Sequence, residues 1–172
     1  VHSQSGNAIK TIWMFSISEL LVDAGHLGIC PLPGRFSSYD ADLATILEWR
    51  PNLVISATTW VEFERGGVSQ FPEDLENHKI KWVHFPVADY GTPQVEAQNW
   101  TEISGQAYGF LDGGGRVLTH CYGGCGRSGM VSLRLMCEAG KTVEWAIKRL
   151  REVRPCAVET AAQMAWAAET LL

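Results

Sequence analysis

The stretch that decides the fold runs from His120 to Gly129 and reads HCYGGCGRSG. It continues from the predicted strand Arg116–His120, and it leads into a helical pattern that begins at Ser128. Glycines in the turn allow the chain to curl so that successive backbone amides point toward one centre. Unpaired amides at a helix N-terminus, together with the helix dipole, attract anions. The stretch therefore predicts a phosphate-binding loop at the end of a strand.

Two side chains of this stretch have the chemistry that a bound phosphate requires. Cys121 ends the strand beneath the amides, and their positive potential favours the thiolate form of a cysteine. Arg127 follows six residues later, and its planar guanidinium can bind two phosphate oxygens at once. A thiolate beneath a phosphate can attack phosphorus and form a cysteinyl-phosphate. We therefore expect the chain to be a phosphomonoester hydrolase.

Outward from this loop, predicted strands and helices alternate, and the C-terminal third is helical. This order predicts an α/β fold with a central, mostly parallel sheet flanked by helices. The predicted strands are residues 11–15, 26–30, 53–57, 80–87 and 116–120, and the predicted helices are 38–50, a segment between 93 and 112, 128–139, 142–153 and 159–172.

Length and composition agree with one globular unit. The 172 residues are 46% hydrophobic and 19% charged, which is typical of a folded domain and not of a disordered chain. We expect a single phosphatase domain over residues 1–172, with residues 1–25 as an N-terminal extension of unknown role. The net charge of −5 disfavours a nucleic-acid partner and an anionic membrane partner. The five cysteines contain no CxxC pair and are predicted to be free thiols of a cytoplasmic protein.

Four segments together resemble a known family. The pattern His120-Cys121, five residues, then Arg127 is similar to the HCX5R signature of cysteine-based protein phosphatases. Phe85–Pro93 (FPVADYGTP) resembles the general-acid loop of atypical dual-specificity phosphatases, in particular the branch acting on cyclin-dependent kinases. Leu32-Pro33-Gly34 and Ala157–Gln163 (AVETAAQ) are similar to segments of the same branch. The resemblance implies a protein-tyrosine-phosphatase-like fold and a phosphorylated protein or peptide as substrate, with dual specificity for phosphotyrosine, phosphoserine and phosphothreonine.

The resemblance also implies a role for individual residues. Cys121 is the expected nucleophile, and Arg127 is the expected phosphate clamp. Asp89 is expected to protonate the leaving oxygen and then to act as base toward the hydrolytic water. Ser128 is expected to assist the departure of the thiolate, and His120 to tune Cys121 through hydrogen bonds.

The remaining implied roles concern the loop and two supporting residues. Gln163 is expected to position the water of the second step, and Glu62 to brace Arg127. The substrate phosphate is expected to contact the loop itself, which consists of Tyr122, Gly123, Gly124, Cys125 and Gly126 with Arg127.

The cysteines depart from the branch at two points. Ala57 stands where the branch often has a second cysteine that protects the nucleophile, and Cys125 stands inside the loop where an apolar residue is usual. Cys125, which is close in sequence, is therefore the first candidate redox partner of Cys121 and Cys30 is the second, and a sulfenamide with a backbone nitrogen is the alternative to both. The other cysteines, Cys137 and Cys156, are expected to be buried packing residues, as is Cys30 if it is unpaired.

Other functions fit the sequence less well. A phosphatase of phosphoinositides or other non-protein phosphate esters is the first alternative, but the loop lacks the lysines that extra phosphates favour. A phosphate-binding pseudophosphatase is the second, although such modules usually lose the nucleophile, the clamp or the acid. The pattern Gly124-x-Gly126-x-x-Gly129 also matches a dinucleotide fingerprint, but a helix and not a second strand follows its helix. No paired ligand spacing indicates zinc, so we expect no metal and no cofactor.

Overall fold

A computed structural model describes residues 14–94 and 99–169 of the chain. A five-stranded sheet forms its centre, with the strands in the order β1-β2-β5-β3-β4. β1 is antiparallel to its neighbour β2, and the other pairs are parallel. The strands are β1 (Ser18–Val22), β2 (Gly25–Cys30), β3 (Leu53–Ser56), β4 (Lys81–His84) and β5 (Arg116–His120).

The parallel register brings four strand ends to one edge of the sheet. His120, the last residue of β5, lies opposite Cys30 of β2 and opposite Ser56 of β3. Ser56 in turn lies opposite His84, the last residue of β4. The segments that follow these strands therefore converge, as is usual at the carboxyl edge of a parallel sheet. The functional loops of the chain meet at this edge.

Helices cover both faces of the sheet. Side chains alternate between the two faces along each strand, so Ile55 and Val117 belong to one hydrophobic cluster and Val54 and Leu118 to the other. The helices are α1 (Tyr39–Trp49), α2 (Trp60–Arg65), α3 (Phe71–Asn77), α4 (Trp100–Asp112), α5 (Gly126–Glu138), α6 (Val143–Val153) and α7 (Ala161–Ala168). The first three pack on the cluster of Val54, and the last four pack on the cluster of Ile55.

The predicted fold class, α/β with a mostly parallel sheet, is confirmed. Residues 18–22, assigned by sequence to an N-terminal extension, form the edge strand β1. The helices α2 and α3 were not predicted, because each has seven residues or fewer and shows little periodicity. Most of the strand predicted over 11–15 lies outside the described residues. Within the described ranges, no helix is both long and apolar enough to cross a bilayer.

Candidate active site

The predicted phosphate loop connects β5 to α5 at the carboxyl edge of the sheet. Cys121 follows the last residue of β5 and is 2% exposed. Its Sγ lies 3.2 Å from the Oγ of Ser128, which is buried in the first turn of α5. A hydroxyl at this distance can donate a hydrogen bond to a thiolate. The N-terminus of α5 therefore faces the sulfur.

An arginine that the sequence analysis missed holds the loop from outside. Arg154 is 9% exposed, and its Nε and Nη2 donate to the carbonyl oxygens of Gly124 (2.8 Å) and Gly123 (3.2 Å). Gly124 has φ +70°, and a Cβ there would lie 2.6 Å from the backbone N of Pro31. Only glycine meets both conditions without strain. The N–H of a trans peptide points opposite to its C=O. Because the carbonyls of Gly123 and Gly124 face Arg154, the amides that follow them point away from Arg154, toward the centre of the loop.

A disulfide joins the loop to the segment that follows α6, which corrects the predictions made for Cys125 and Cys156. Cys125 and Cys156 are bonded, with their Cα atoms 5.1 Å apart. Cys125 is therefore neither a free thiol nor the partner of Cys121, and Cys156 is not a packing residue. The Cys125 side chain points toward the segment after α6, where Cys156 lies. Cys30, Cys121 and Cys137 remain free and buried, and burial raises the pKa of the Cys30 thiol.

Arg127 is the centre of a buried ion-pair network. Its Nη1 and Nη2 each donate to a carboxylate oxygen of Glu62 at 2.7 Å, a two-bond pairing. Arg127 is 2% exposed, and Glu62 is 6% exposed. Burial alone would raise the pKa of Glu62, but hydrogen bonds from Arg127 and Thr59 hold it below its usual range. Glu62 is therefore ionised, and it fixes the plane of the guanidinium.

The segment carrying Asp89 folds over the same arginine. Backbone bonds from Phe85 to Ser56 and from Val87 to Ala57 extend β4 toward the loop. The carbonyl oxygen of Val87 accepts from Arg127 Nη1 at 2.9 Å, and Asp89 Oδ1 lies 3.3 Å from Arg127 Nη2. The Asp89 side chain is 55% exposed, so a bound substrate can reach it.

His120 lies behind the nucleophile in an aromatic pocket. It is completely buried, and its ring meets those of Phe63 and Phe71 edge-on. One ring nitrogen hydrogen-bonds with Ser56 Oγ, and the other lies 3.4 Å from the carbonyl oxygen of Cys121. Burial lowers the pKa of His120 to about 4, so the imidazole is neutral at physiological pH. It contacts the backbone of Cys121 and not its sulfur.

Gln163 connects the last helix to the segment that carries Asp89. The residue is fully buried, and its Oε1 accepts from the backbone amides of Glu159 (2.9 Å) and Thr160 (3.3 Å). Its Nε2 donates to the carbonyl oxygen of Gly91, two residues after Asp89. Through these bonds, Gln163 links α7 to the Asp89 segment.

Glu159, missed by the sequence analysis, lies closer to the loop than Gln163 does. A Cβ on Gly126 would lie 2.3 Å from Glu159 Oε1, so the carboxylate covers the Cα of that glycine. Glu159 is exposed.

The structure thus brings Cys121, Ser128, Arg127 and Asp89 together at one loop. His120 and Gln163 contact this group from behind. Tyr122 to Gly126 form the loop between Cys121 and Arg127. Glu159 and Arg154 are the additions that only the three-dimensional arrangement provides.

Comparisons with known proteins place the chain in a family. Residues 4–146 match the family model described as Cyclin-dependent kinase inhibitor 3 (CDKN3). The human protein named cyclin-dependent kinase inhibitor 3 is 32% identical over 136 residues, and the match covers 74% of this chain. The same match spans 63% of the human protein's length.

Solved structures share the fold. A crystal structure of kinase associated phosphatase, with its catalytic-site cysteine replaced by serine, superposes with a TM-score of 0.80 at 26% identity. That match covers 90% of this chain and 93% of the other. The phosphatase Tk-PTP in its active form gives a TM-score of 0.69 at 27% identity and covers 89% and 95%. With a family match over most of its length and these structural relatives, the chain belongs to the cyclin-dependent kinase inhibitor 3 family.

Proposed function

We propose that this protein is a cysteine-dependent phosphatase that removes phosphate from phosphotyrosine, phosphoserine or phosphothreonine in proteins. One observation carries the proposal. The Cys121 sulfur lies at the base of a loop whose next helix presents Ser128 to it, and Arg127 and Asp89 meet over the same loop. Nucleophile, phosphate clamp and acid are thus within reach of one bound phosphate.

In the first step, the substrate phosphate binds the loop amides and the guanidinium of Arg127. Glu62 and Val87 keep that guanidinium in place. The exposed carboxyl of Asp89 gives up its contact with Arg127 Nη2, and the phosphate takes its position. The Cys121 thiolate then attacks phosphorus. An S–P bond forms, the P–O bond to the substrate breaks, and the leaving oxygen takes a proton from Asp89.

In the second step, a water molecule attacks the phosphorus of the cysteinyl-phosphate. Asp89, now ionised, accepts a proton from that water, and the S–P bond breaks to release phosphate and thiolate. The Ser128 hydroxyl at 3.2 Å stabilises the departing sulfur by donating a hydrogen bond. Gln163 keeps the Asp89 segment in place through Gly91 in both steps.

The neighbouring proteins support a protein substrate. Relatives are named cyclin-dependent kinase inhibitor, and the solved structure of highest similarity reported above is a kinase associated phosphatase. We therefore infer that a phosphorylated kinase is the substrate. A phosphoinositide is disfavoured because residues 122–126 contain no lysine or arginine to bind further phosphates.

The test compares two cysteine variants. Cys121→Ser should abolish turnover of phosphopeptides in EDTA while phosphate binding persists. Cys137→Ala is the matched control, because it removes a buried thiol at the far end of α5 and should retain turnover per folded molecule. Turnover by Cys121→Ser, or an absolute requirement for a metal, would exclude the mechanism. Faster hydrolysis of inositol phosphates than of every phosphopeptide would exclude the protein substrate.

A further inference from the structure

We propose that Arg35 binds a second anionic group of the substrate, beside the phosphate that is removed. This inference rests on the proposed function and specifies its substrate: a phosphopeptide with an acidic or second phosphorylated residue near the reacting one. Arg35 belongs to the turn after β2, at the edge of the sheet where the phosphate loop lies. Neither the HCX5R pattern nor the general-acid loop includes it.

The backbone of this turn is fixed to the loop. The amide of Leu32 donates to the carbonyl oxygen of Tyr122, the residue after Cys121, at 3.2 Å. The amide of Arg35 donates to the carbonyl oxygen of Leu32, also at 3.2 Å. Asp42, in the first turn of α1, accepts from the amide of Gly34 at 2.8 Å. These bonds fix the backbone around Arg35 to the phosphate loop on one side and to α1 on the other.

Its guanidinium lies over two aromatic rings beside the loop. The guanidinium carbon lies 3.9 Å from the ring centre of Tyr122 and 4.8 Å from that of Phe36. A Cβ on Gly123 would lie 3.4 Å from Nη1, so the cation borders the phosphate loop. Stacking uses the faces of a guanidinium and leaves the N–H groups at its edge to bind a ligand. Such preorganisation lowers the entropy lost on binding.

The arginines around the loop differ in what they bind. The N–H groups of Arg127 contact Glu62, Asp89 and Val87, and those of Arg154 contact loop carbonyls. Arg35 is exposed, and no carboxylate within residues 14–94 and 99–169 forms an ion pair with it. Its charge is therefore available to an external anion.

The charge at the mouth of the loop is unevenly distributed. Arg35 lies at Gly123, whereas the carboxylates of Glu159 and Asp89 lie at Gly126 and at Arg127. An anionic group next to the substrate phosphate is attracted by Arg35 at the Gly123 end of the loop. At the other end it is repelled by the carboxylates of Glu159 and Asp89. Neighbouring residues in a peptide have Cα atoms about 3.8 Å apart, so a side chain one or two positions away can span this mouth. A planar cation at this place suits a carboxylate or a phosphate.

The experiment measures binding of phosphopeptides to the non-hydrolysing Cys121→Ser protein. The peptides share one phosphorylated residue and differ in their flanks: neutral, acidic, or carrying a second phosphate. We expect the acidic and the doubly phosphorylated peptides to bind about tenfold more tightly than the neutral one, as for a charge-assisted pair at a partly exposed site. A larger gain for the carboxylate or for the second phosphate identifies which anion the site prefers.

Substitutions at Arg35 test whether this residue causes the preference. Arg35→Ala should reduce the tenfold preference to less than twofold, and Arg35→Glu should reverse it. Lys81→Glu makes the same charge change at the opposite edge of the sheet and should retain the preference. Raising the salt concentration from 50 to 500 mM should weaken the preference, because ions screen exposed charges.

Turnover by the corresponding active enzymes distinguishes recognition from stability. Arg35→Ala should raise KM for the acidic peptide and lower kcat little, because the contact is made equally in the ground and transition states. A preference that persists in Arg35→Ala would overturn the inference. An Arg35-dependent gain seen with inositol phosphates and not with peptides would overturn it as well. Binding with the expected preference but without turnover by the wild type would instead refute the proposed function alone.

Discussion

Replacing Glu62 by glutamine tests how the site holds Arg127. In the wild type, the Glu62 carboxylate accepts two bonds of 2.7 Å from Arg127 and bonds of 2.8 and 3.1 Å from Thr59. Glutamine retains one acceptor oxygen but places an NH₂ group against a guanidinium NH₂, so two donors face each other. The arginine then keeps only the exposed Asp89 as a charged partner within the described part of the chain.

The expected cost follows from the burial of the pair. Removing one partner of a buried ion pair typically costs about 3–5 kcal/mol, because the other charge is left uncompensated. The bonds of Arg127 to Val87 and Asp89 remain, so we expect Glu62→Gln to lower the free energy of unfolding by about 2–4 kcal/mol. A guanidinium that is no longer fixed binds the transition state less well, and we expect kcat/KM to fall about 100-fold, which corresponds to about 2.7 kcal/mol.

The stability difference should depend on pH with a defined sign. The pKa of Glu62 lies below its usual range in the folded protein, and a glutamate in the unfolded chain titrates near ~4.3. The stabilisation from its charge is therefore complete above ~4.3 and is lost as the pH falls through the folded pKa. Urea unfolding of both proteins without reductant should give a constant difference between about pH 5.5 and 7.5, and a smaller difference below pH 4.

Glu64→Gln is the matched control, because Glu64 is exposed on the same helix, α2, and has the same charge. It should change the free energy of unfolding by less than about 0.5 kcal/mol. If Glu62→Gln were as stable as Glu64→Gln at pH 7 and hydrolysed phosphopeptides at the wild-type rate, the argument for a charge-fixed Arg127 would fail.

Two further predictions concern the acid and the disulfide. Asp89→Ala should lower kcat for phosphopeptides by about 10²–10⁴-fold. The loss should be smaller for an aryl phosphate with a good leaving group, because that group needs little protonation. Equal losses of kcat on both substrates would place the acid elsewhere. Reducing the Cys125–Cys156 bond, which closes a segment of 31 residues, should lower the free energy of unfolding by about 3–4 kcal/mol. Cys156→Ala should have the same free energy of unfolding as the reduced protein, with or without reductant. If the variant were instead as stable as the oxidised wild type, Arg154 would suffice to hold the segments together.

The elements predicted well from sequence are those with strong local signals. The strand Arg116–His120 has the predicted bounds, because its apolar centre, Val117 and Leu118, lies between a run of glycines and the phosphate loop. Ser38 and Thr142 are the N-caps of α1 and α6, and the hydroxyl of each accepts a hydrogen bond from a backbone amide in the first turn. By contrast, α5 begins at Gly126, two residues before its predicted start. The curl of the loop, and not local propensity, sets that boundary.

The site was predictable where its residues lie within one short motif. Cys121, Arg127 and Ser128 are separated by at most seven positions, so spacing alone places them on one turn. Arg154 and Glu159 lie about thirty residues further along, and a helix returning to the sheet brings them back. The disulfide was missed for the same reason, and because an odd number of cysteines without a CxxC pair gave no indication of pairing.

The last part of the chain completes a loop that lies thirty residues before it. Arg154, Cys156 and Val158 all bond to residues 123–125, and Gln163 reaches the segment that carries Asp89. A ribosome synthesises the chain from its N-terminus onward. The sheet and its nucleophile are therefore made before the residues that shape the phosphate loop. A ribosome must pass Gln163 before the chain has a finished active site, so a partly synthesised chain has its nucleophile but not its completed phosphate loop.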